Sequence, residues 1–203
     1  MIGIDKYAYS SRLKDVNPAE KLIFSLLTMA ICLSSGSIMV SIAIVLIMGG
    51  VTVFRGGIPF RFYGRLMLVP FSFLVIGVVT IAVEISRLRA GFIWDLSIFG
   101  WYAGVSEQSL TTAAKLFFKA LGAVSCLYFL SLNTAVVDII SVLRRIRVPE
   151  IFLELMELIY RFLFVLMEIA NKIYTSQSSR LGYSGISTGY RSLGQLASML
   201  FLR

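Results

Sequence analysis

Leu66-Met67-Leu68-Val69-Pro70-Phe71-Ser72-Phe73-Leu74-Val75-Ile76-Gly77-Val78-Val79-Thr80-Ile81-Ala82-Val83-Glu84-Ile85 is a run of twenty residues in which Glu84, one place from its end, is the only charge. A helix rises about 1.5 Å per residue, so this run is long enough to cross the roughly 30 Å hydrocarbon core of a bilayer. It predicts a transmembrane helix, and the composition extends that prediction to the whole chain. The hydrophobic fraction is 58 % and the mean hydropathy +0.85, against roughly 45–50 % apolar in ordinary soluble domains. With 203 residues the chain holds one bundle of about four to six spans and no separate soluble enzymatic domain of typical size. The net charge of +8 belongs first to membrane topology and contact with anionic lipid. The basic residues are scattered among apolar runs and form no single stripe, which argues against nucleic acid as a partner.

Upstream of the quoted run lies a basic link, Arg55, Gly56, Gly57, Pro59, Arg61, Gly64 and Arg65. Before it stand two apolar runs, Leu22 to Ser35 and Ile38 to Phe54. The first is short, and Ser34-Ser35-Gly36-Ser37 between them predicts the turn of a tight helical hairpin. Asn17-Pro18 has the form of a helix start, with Asn17 as cap and Pro18 at the first helical position. Met1 to Lys21 carries charges of both signs before any apolar run, too long and too mixed for a cleaved signal peptide.

Downstream, residues 86–108 form a loop that holds Trp94 and Trp101, both of the tryptophans. An aromatic hairpin at the lipid headgroup layer fits this composition. The next span is predicted over Ser109 to Asn133. Lys115 and Lys119 share one of its faces, either snorkelling to the nearer interface or lining a translocation path. A short segment, Val136 to Arg147, ends in Arg144-Arg145-Ile146-Arg147, where cations complement a helix C-terminus and Pro149 stops the helix. Residues 150–172 follow with ionisable side chains at 150, 154, 157, 161, 168 and 172; at 100° per residue these lie within about 60° of one another. The chain closes with a Gly- and Ser-rich stretch, 176–194, leading to Leu193–Arg203.

Lys and Arg set the orientation. Four fall in the N-terminal arm, three in the 54–65 link, three in 134–150 and four after residue 171, against two in the 86–108 loop. The positive-inside rule then places the N-terminus and everything after residue 133 in the cytoplasm and the aromatic loop outside. Helix 150–172 is expected along the interface or beneath the bundle, because Glu154, Glu157, Arg161 and Glu168 are costly in lipid. The alternative is a fifth span whose charged stripe faces other helices. The expected fold is therefore an all-α membrane protein of about four transmembrane helices plus cytoplasmic or interfacial coupling helices. Residues 1–133 hold the bundle and its arm, and 134–203 the coupling-helix region.

Chemistry is sparse. Histidine is absent, and with it the commonest general base and transition-metal ligand. Cys32 and Cys126 sit in apolar runs and read as small buried hydrophobes, not a disulfide or metal pair. No phosphate-binding loop, nucleophile elbow, His-Glu-x-x-His or Cys-x-x-Cys is present. Glu157 and Arg161, at i and i+4, are expected to form a helix salt bridge rather than a catalytic pair. Arg89-Ala90-Gly91, in the outer loop, reads as incidental. No catalytic residue, metal site or cofactor is expected.

Two regions carry a resemblance. The arm Ile4-Asp5-Lys6-Tyr7-Ala8-Tyr9-Ser10-Ser11-Arg12-Leu13 with Val16-Asn17-Pro18-Ala19-Glu20-Lys21-Leu22 resembles the opening of the energy-coupling-factor transmembrane T proteins, of the CbiQ-like cobalt-transport type. Arg144-Arg145-Ile146-Arg147-Val148-Pro149, Leu158-Ile159-Tyr160-Arg161-Phe162 and Ser179-Arg180-Leu181-Gly182-Tyr183 are similar to that family as well. The resemblance covers nearly the whole chain.

The resemblance implies a non-catalytic scaffold of an importer in the cell membrane. Two ABC-type ATPase subunits, or a homodimer, would drive uptake, and a separate CbiM-like membrane subunit would bind the substrate, cobalt before nickel. It implies that Ser179, Arg180 and Leu181, with Gly182, form a coupling motif inserted into an ATPase groove, supported by Arg144, Arg145, Glu157 and Arg161 on the coupling helices. A second such motif, usually Ala-Arg-Gly, has no counterpart up to Leu200-Phe201-Leu202-Arg203, where the family normally continues, as in a shortened or truncated form. Arginine suits the role because it is permanently charged, planar and multidentate. The rival readings are a self-sufficient small carrier or channel, against which stand few spans and no visible inverted repeat, and a membrane-embedded enzyme, which lacks an acid, base or metal cluster.

Overall fold

The computed structural model describes residues 3–86, 92–98 and 101–202, with the backbone alone at 3–6, 82–86, 92–98 and 101–105. The apolar runs become helices wherever a cap and an uninterrupted pattern allow it. After a short α1 (Gly3–Ser10), α2 (Pro18–Ser34) starts where Asn17 Oδ1 accepts the Ala19 N–H at 3.1 Å and Pro18 takes the first turn. α3 (Ile38–Gly50) runs into a π-helical turn, Val51–Arg55, and α4 covers Phe60–Ala82. α5 (Glu107–Asn133) is followed by α6 (Val136–Arg145), α7 (Glu150–Ser179) and α8 (Ile186–Phe201).

Among the described residues, three helical stretches are long and apolar enough to cross a membrane: Ile38–Arg55, Phe60–Ile81 and Glu107–Asn133. The fold is that of a helical membrane protein. α2, at 17 residues, is shorter than a full crossing of about 20. It nevertheless runs antiparallel along α5: Lys21 Nζ donates to the Asn133 carbonyl at 2.9 Å, Ser25 Oγ to the Cys126 carbonyl at 2.8 Å, and Cys32 Sγ lies 3.6 Å from the Lys119 carbonyl.

The chain divides into two compact units, residues 2–139 and 140–203. In the larger, α5 is the axis, packed by α1, α2, α3 and α4. One core cluster joins Cys32, Ile44, Met48, Cys126 and Phe129; a second joins Ile58, Tyr63 and Leu132, with Tyr7 and Phe62 stacked 4.2 Å apart beside it. Both cysteines are free and fully buried, as small hydrophobes should be. The α2–α5 approach is close. A Cβ built on Gly122 lies 2.5 Å from Cys32 Sγ, so only glycine fits there without a shift.

The predicted span to Ile85 ends early, because Val83 leaves the helix. β1 (Val83–Ser86), β2 (Phe92–Ile98) and β3 (Trp101–Ser106) form an antiparallel sheet of order β1-β3-β2, with Val83 opposite Val105 and Ile98 opposite Trp101. β-branched Val83 and Ile85 favour pairing over a further helical turn. The expected hairpin is therefore present, with a third strand added. The expected headgroup placement of the Trp94 and Trp101 side chains, and Arg89-Ala90-Gly91, lie outside the described residues.

In the smaller unit, the helix expected over 150–172 continues to Ser179, since no Gly or Pro intervenes, and the Thr175 and Ser179 hydroxyls are accommodated on the carbonyls four residues earlier at 2.8 and 2.9 Å. The Gly- and Ser-rich stretch is also largely helical. Gly189 and Gly194 weaken α8 intrinsically, and it is held instead by Thr188 Oγ1, which accepts the Gly185 N–H at 3.0 Å, and by bonds to α7.

Gly122→Val is expected to lower the stability of the detergent-solubilised protein by about 1–3 kcal/mol through overpacking. Thermal unfolding of the pair Gly122→Ala and Gly122→Ala/Cys32→Ala should show part of the smaller loss recovered when the sulfur is removed.

Candidate coupling site

Ser179, Arg180, Leu181 and Gly182 occupy one turn, and its geometry follows from how a helix ends. The last carbonyls of a helix lack partners and are commonly satisfied by a Schellman turn, whose penultimate residue is left-handed and usually glycine. At the end of α7 the Gly182 N–H donates to the Gln177 carbonyl at 2.9 Å and the Leu181 N–H to the Ser178 carbonyl at 3.1 Å. The left-handed residue is Leu181, at φ 57°. A side chain in that conformation costs on the order of 1 kcal/mol. Glycine stands one residue later for another reason: a Cβ on Gly182 would lie 2.8 Å from both the Gln177 carbonyl and Ser192 Oγ.

The turn is braced by residues that the sequence pattern did not single out. Ser192 Oγ donates to the Gly182 carbonyl at 2.8 Å, Gln177 Nε2 to the Ser192 carbonyl at 3.1 Å, and the Tyr183 hydroxyl to Gln177 Oε1 at 2.8 Å. Tyr183 also packs on Tyr174, ring centres 4.8 Å apart. Their one sequence signal is the placing of Gln177 and Tyr183 on either side of the Arg-Leu-Gly. Arg180 caps α7 and is exposed, and Leu181 is 74 % exposed. Arg180 and Lys172 line one groove of about 670 Å³ between α7 and α8, with Gln177, Gln195, Met199 and Leu202. The combination offers a permanent cation and a projecting apolar side chain on a braced turn. That chemistry suits a concave partner surface rich in carboxylates and carbonyls.

The α6–α7 turn is built in the same way. The Val148 N–H donates to the Leu143 carbonyl at 3.3 Å, the Arg147 N–H to the Arg144 carbonyl at 3.2 Å, and Arg147 is left-handed at φ 63°. This reversal corrects one expected pairing. Glu157 binds Arg144 of α6 at 2.8 Å, and not Arg161. The turn at Arg147 folds the end of α6 back beside α7, where a flexible guanidinium reaches the carboxylate. Both partners are about half exposed, so the pair contributes at most about 1 kcal/mol. Arg145 and Arg161 are exposed and form no ion pair among the described residues. Glu168 and Lys172 do pair, at 2.6 Å, and the ammonium holds the Glu168 carboxyl below its ordinary range.

Opposite the charged stripe, α7 exposes Phe152, Leu155, Ile159, Phe162, Leu163 and Leu166, and Leu153 alone among its side chains is buried. Among the described residues no group of three or more His, Cys, Asp and Glu is placed to hold a metal.

Apolar spans followed by a second unit of helical hairpins define a polytopic membrane protein. The family model for CbiQ, cobalt transport protein, matches residues 9–203, and the chain belongs to that family. It is 33 % identical to the cobalt transport protein CbiQ of Salmonella typhimurium, over all of this chain and 90 % of that protein. An uncharacterized protein of Methanocaldococcus jannaschii is 32 % identical, over 98 % of this chain and 74 % of its own length. A putative fused cobalt transport protein CbiMQ of Methanocorpusculum labreanum is 31 % identical over 98 % of this chain and 33 % of its own length. The chain is thus a membrane component of the transport class.

Leu181→Gly is expected to raise the unfolding midpoint of the isolated protein, by relief of about 1 kcal/mol of backbone strain, while lowering transport through loss of the apolar projection. Gly182→Ala should do the reverse to stability, since its Cβ meets two oxygens. Thermal scans of the two variants beside uptake assays check both signs.

Proposed function

We propose that this chain is the non-catalytic coupling subunit of an ATP-driven importer for Co²⁺, in which Arg180 transmits the motion of partner ATPases. The observation that carries the reading is the rigid, exposed Ser179-Arg180-Leu181 turn at the end of a 30-residue helix. The left-handed turn caps α7, but a leucine there in place of the usual glycine and the exposure of Arg180 and Leu181 add nothing to that capping, and both suit an insert into a partner's groove.

ATP binding closes the ATPase pair, the groove presses on Arg180, and α7 carries the displacement toward the membrane. Packed helices pass on such movements because their interfaces are bistable rather than continuously soft. The exposed apolar face of α7 meets the substrate-binding membrane subunit, since a patch of that size on a helix calls for a partner. A relative that fuses CbiM and CbiQ in one chain supports a CbiM-like identity for that subunit. In this reading the N-terminus is cytoplasmic in the cell membrane, as the distribution of Lys and Arg favours.

Arg180→Glu is expected to leave membrane insertion intact, to weaken binding of Walker-type ATPases by about thirtyfold or more, as for the loss of an interface anchor of about 2 kcal/mol, and to abolish Co²⁺ uptake. Copurification and vesicle uptake read the two effects. Undiminished uptake would overturn the assignment, and uptake by the chain alone would favour a self-sufficient carrier.

A further inference from the structure

A buried lysine stands where the bundle meets the chain leading to the smaller unit. Lys21 is 4 % exposed, and its ammonium donates to the Leu13 carbonyl at 3.1 Å and the Asn133 carbonyl at 2.9 Å. No carboxylate pairs with it among the described residues, although Asp138 of α6 exerts a favourable Coulomb pull on it. A cation removed from water at such a place is costly unless it is well bound.

Asn133, fully buried, is the last residue of α5 and gathers the neighbouring elements. Its Oδ1 accepts the Ser11 hydroxyl at 2.8 Å, and its Nδ2 donates to the Phe129 carbonyl at 2.9 Å. The Arg12 N–H donates to the Gly56 carbonyl at 3.3 Å, and Ser11 Oγ, whose proton goes to Asn133, lies at the same distance from that carbonyl. A Cβ on Gly56 would collide with Asn133 Oδ1 and the Thr52 carbonyl. Gly56 ends the π-helical turn, its N–H donating to the Val51 carbonyl at 3.0 Å. Such a turn, with one residue more than the α-helical repeat, recurs at functional positions. One residue therefore joins the N-terminal segment, α2, the α3–α4 link and α5.

The chain passes from the larger unit to the smaller at Ile139–Ile140, shortly after Asn133. Along the backbone, a displacement passed through α6 meets the bundle first at the end of α5, where Asn133 stands.

We propose that Lys21 and Asn133 form a transmission junction, with Ser11 and Gly56, that distributes movement of the coupling unit to α2, the α3–α4 link and α5. Lys21 and Asn133 are positioning residues, since they act through the helices they hold. The inference rests on the coupling role given to Arg180, and it adds the place where the bundle receives the motion. A lysine kept buried on two carbonyls suits this role better than an apolar side chain, because its two bonds reach separate segments and can be exchanged without unfolding either.

The test uses the complete transporter copurified with this chain, in vesicles, reading Co²⁺ taken up per ATP hydrolysed. Lys21→Met, of similar length, should leave ATPase copurification and ATP hydrolysis within about twofold of the parent and lower the uptake-to-hydrolysis ratio by at least about fivefold, the low end of typical coupling energies. Lys21→Arg should restore part of the ratio. Should Lys21→Met fail to yield an intact complex, Ser11→Ala, which removes one hydroxyl donor from Asn133, must lower the ratio with the complex intact. An unchanged ratio in every variant that assembles, with only the yield reduced, means a structural role and overturns the junction. Arg180→Glu is measured alongside. If it leaves uptake undiminished, the coupling role falls and the junction with it; if it abolishes uptake while Lys21→Met keeps a normal ratio, the junction alone is wrong.

Discussion

The hydrogen bonds of the buried Lys21 ammonium to the Leu13 and Asn133 carbonyls anchor α2 to the helix on which the larger unit is packed. They fix the start of α2 against the end of α5, which sets the antiparallel register repeated at Ser25 and Cys32. That register in turn brings Cys32 onto Gly122 and closes the core around Met48 and Phe129. Helix association within a bilayer gains little from hydrophobicity and relies on close packing and buried polar bonds. The α2–α5 pair uses both, with a glycine at the close approach and polar bonds along its length.

The smaller unit is organised by the opposite economy. Its helices carry much exposed apolar surface, and two of its turns share one construction, each with a side chain where glycine is usual. Conformational strain of that kind persists where the side chain is wanted for something other than the fold. At Arg147 the turn brings Arg144 onto Glu157 and directs α6 into α7. At Leu181 it sets Arg180 and Leu181 outward, while Ser192 and Gln177 brace it from α8. A braced tip on a long amphipathic helix is the arrangement that the proposed coupling role calls for.

Much of the fold is legible in the sequence. Asn17-Pro18 marks the start of α2, the apolar runs mark the spans, and the isolated cysteines read correctly as core. The helical limits are less legible. Val83 leaves its helix because a strand some twenty residues on offers it a partner; its β-branched side chain favours that pairing but does not reveal it, since Val78 and Val79 stay helical. The Ser- and Gly-rich stretch after residue 176 folds into helix despite poor propensity, with Ser192 of α8 bonded to Gln177 of α7 and to Gly182 of the turn. Glu157 chooses Arg144 over the i+4 arginine because a backbone reversal, invisible in the spacing, delivers it. The motif around Arg180 came from resemblance, whereas the bracing by Gln177, Tyr183 and Ser192, and the cluster at Asn133, require the coordinates. Buried polar networks leave weak traces in sequence, since serine, asparagine and lysine are common on surfaces too.

The most direct measurement is site-specific cross-linking at the tip of α7. Cys32 and Cys126 are fully buried, so Ser179→Cys introduces a single accessible thiol for a photoreactive cross-linker, next to Arg180 and without removing it. In native membranes the account predicts cross-links to an ATPase subunit, with a yield that changes between ATP-bound and nucleotide-free states. Labelling of that thiol from outside the cell, or cross-links that never include a nucleotide-binding protein, would contradict it.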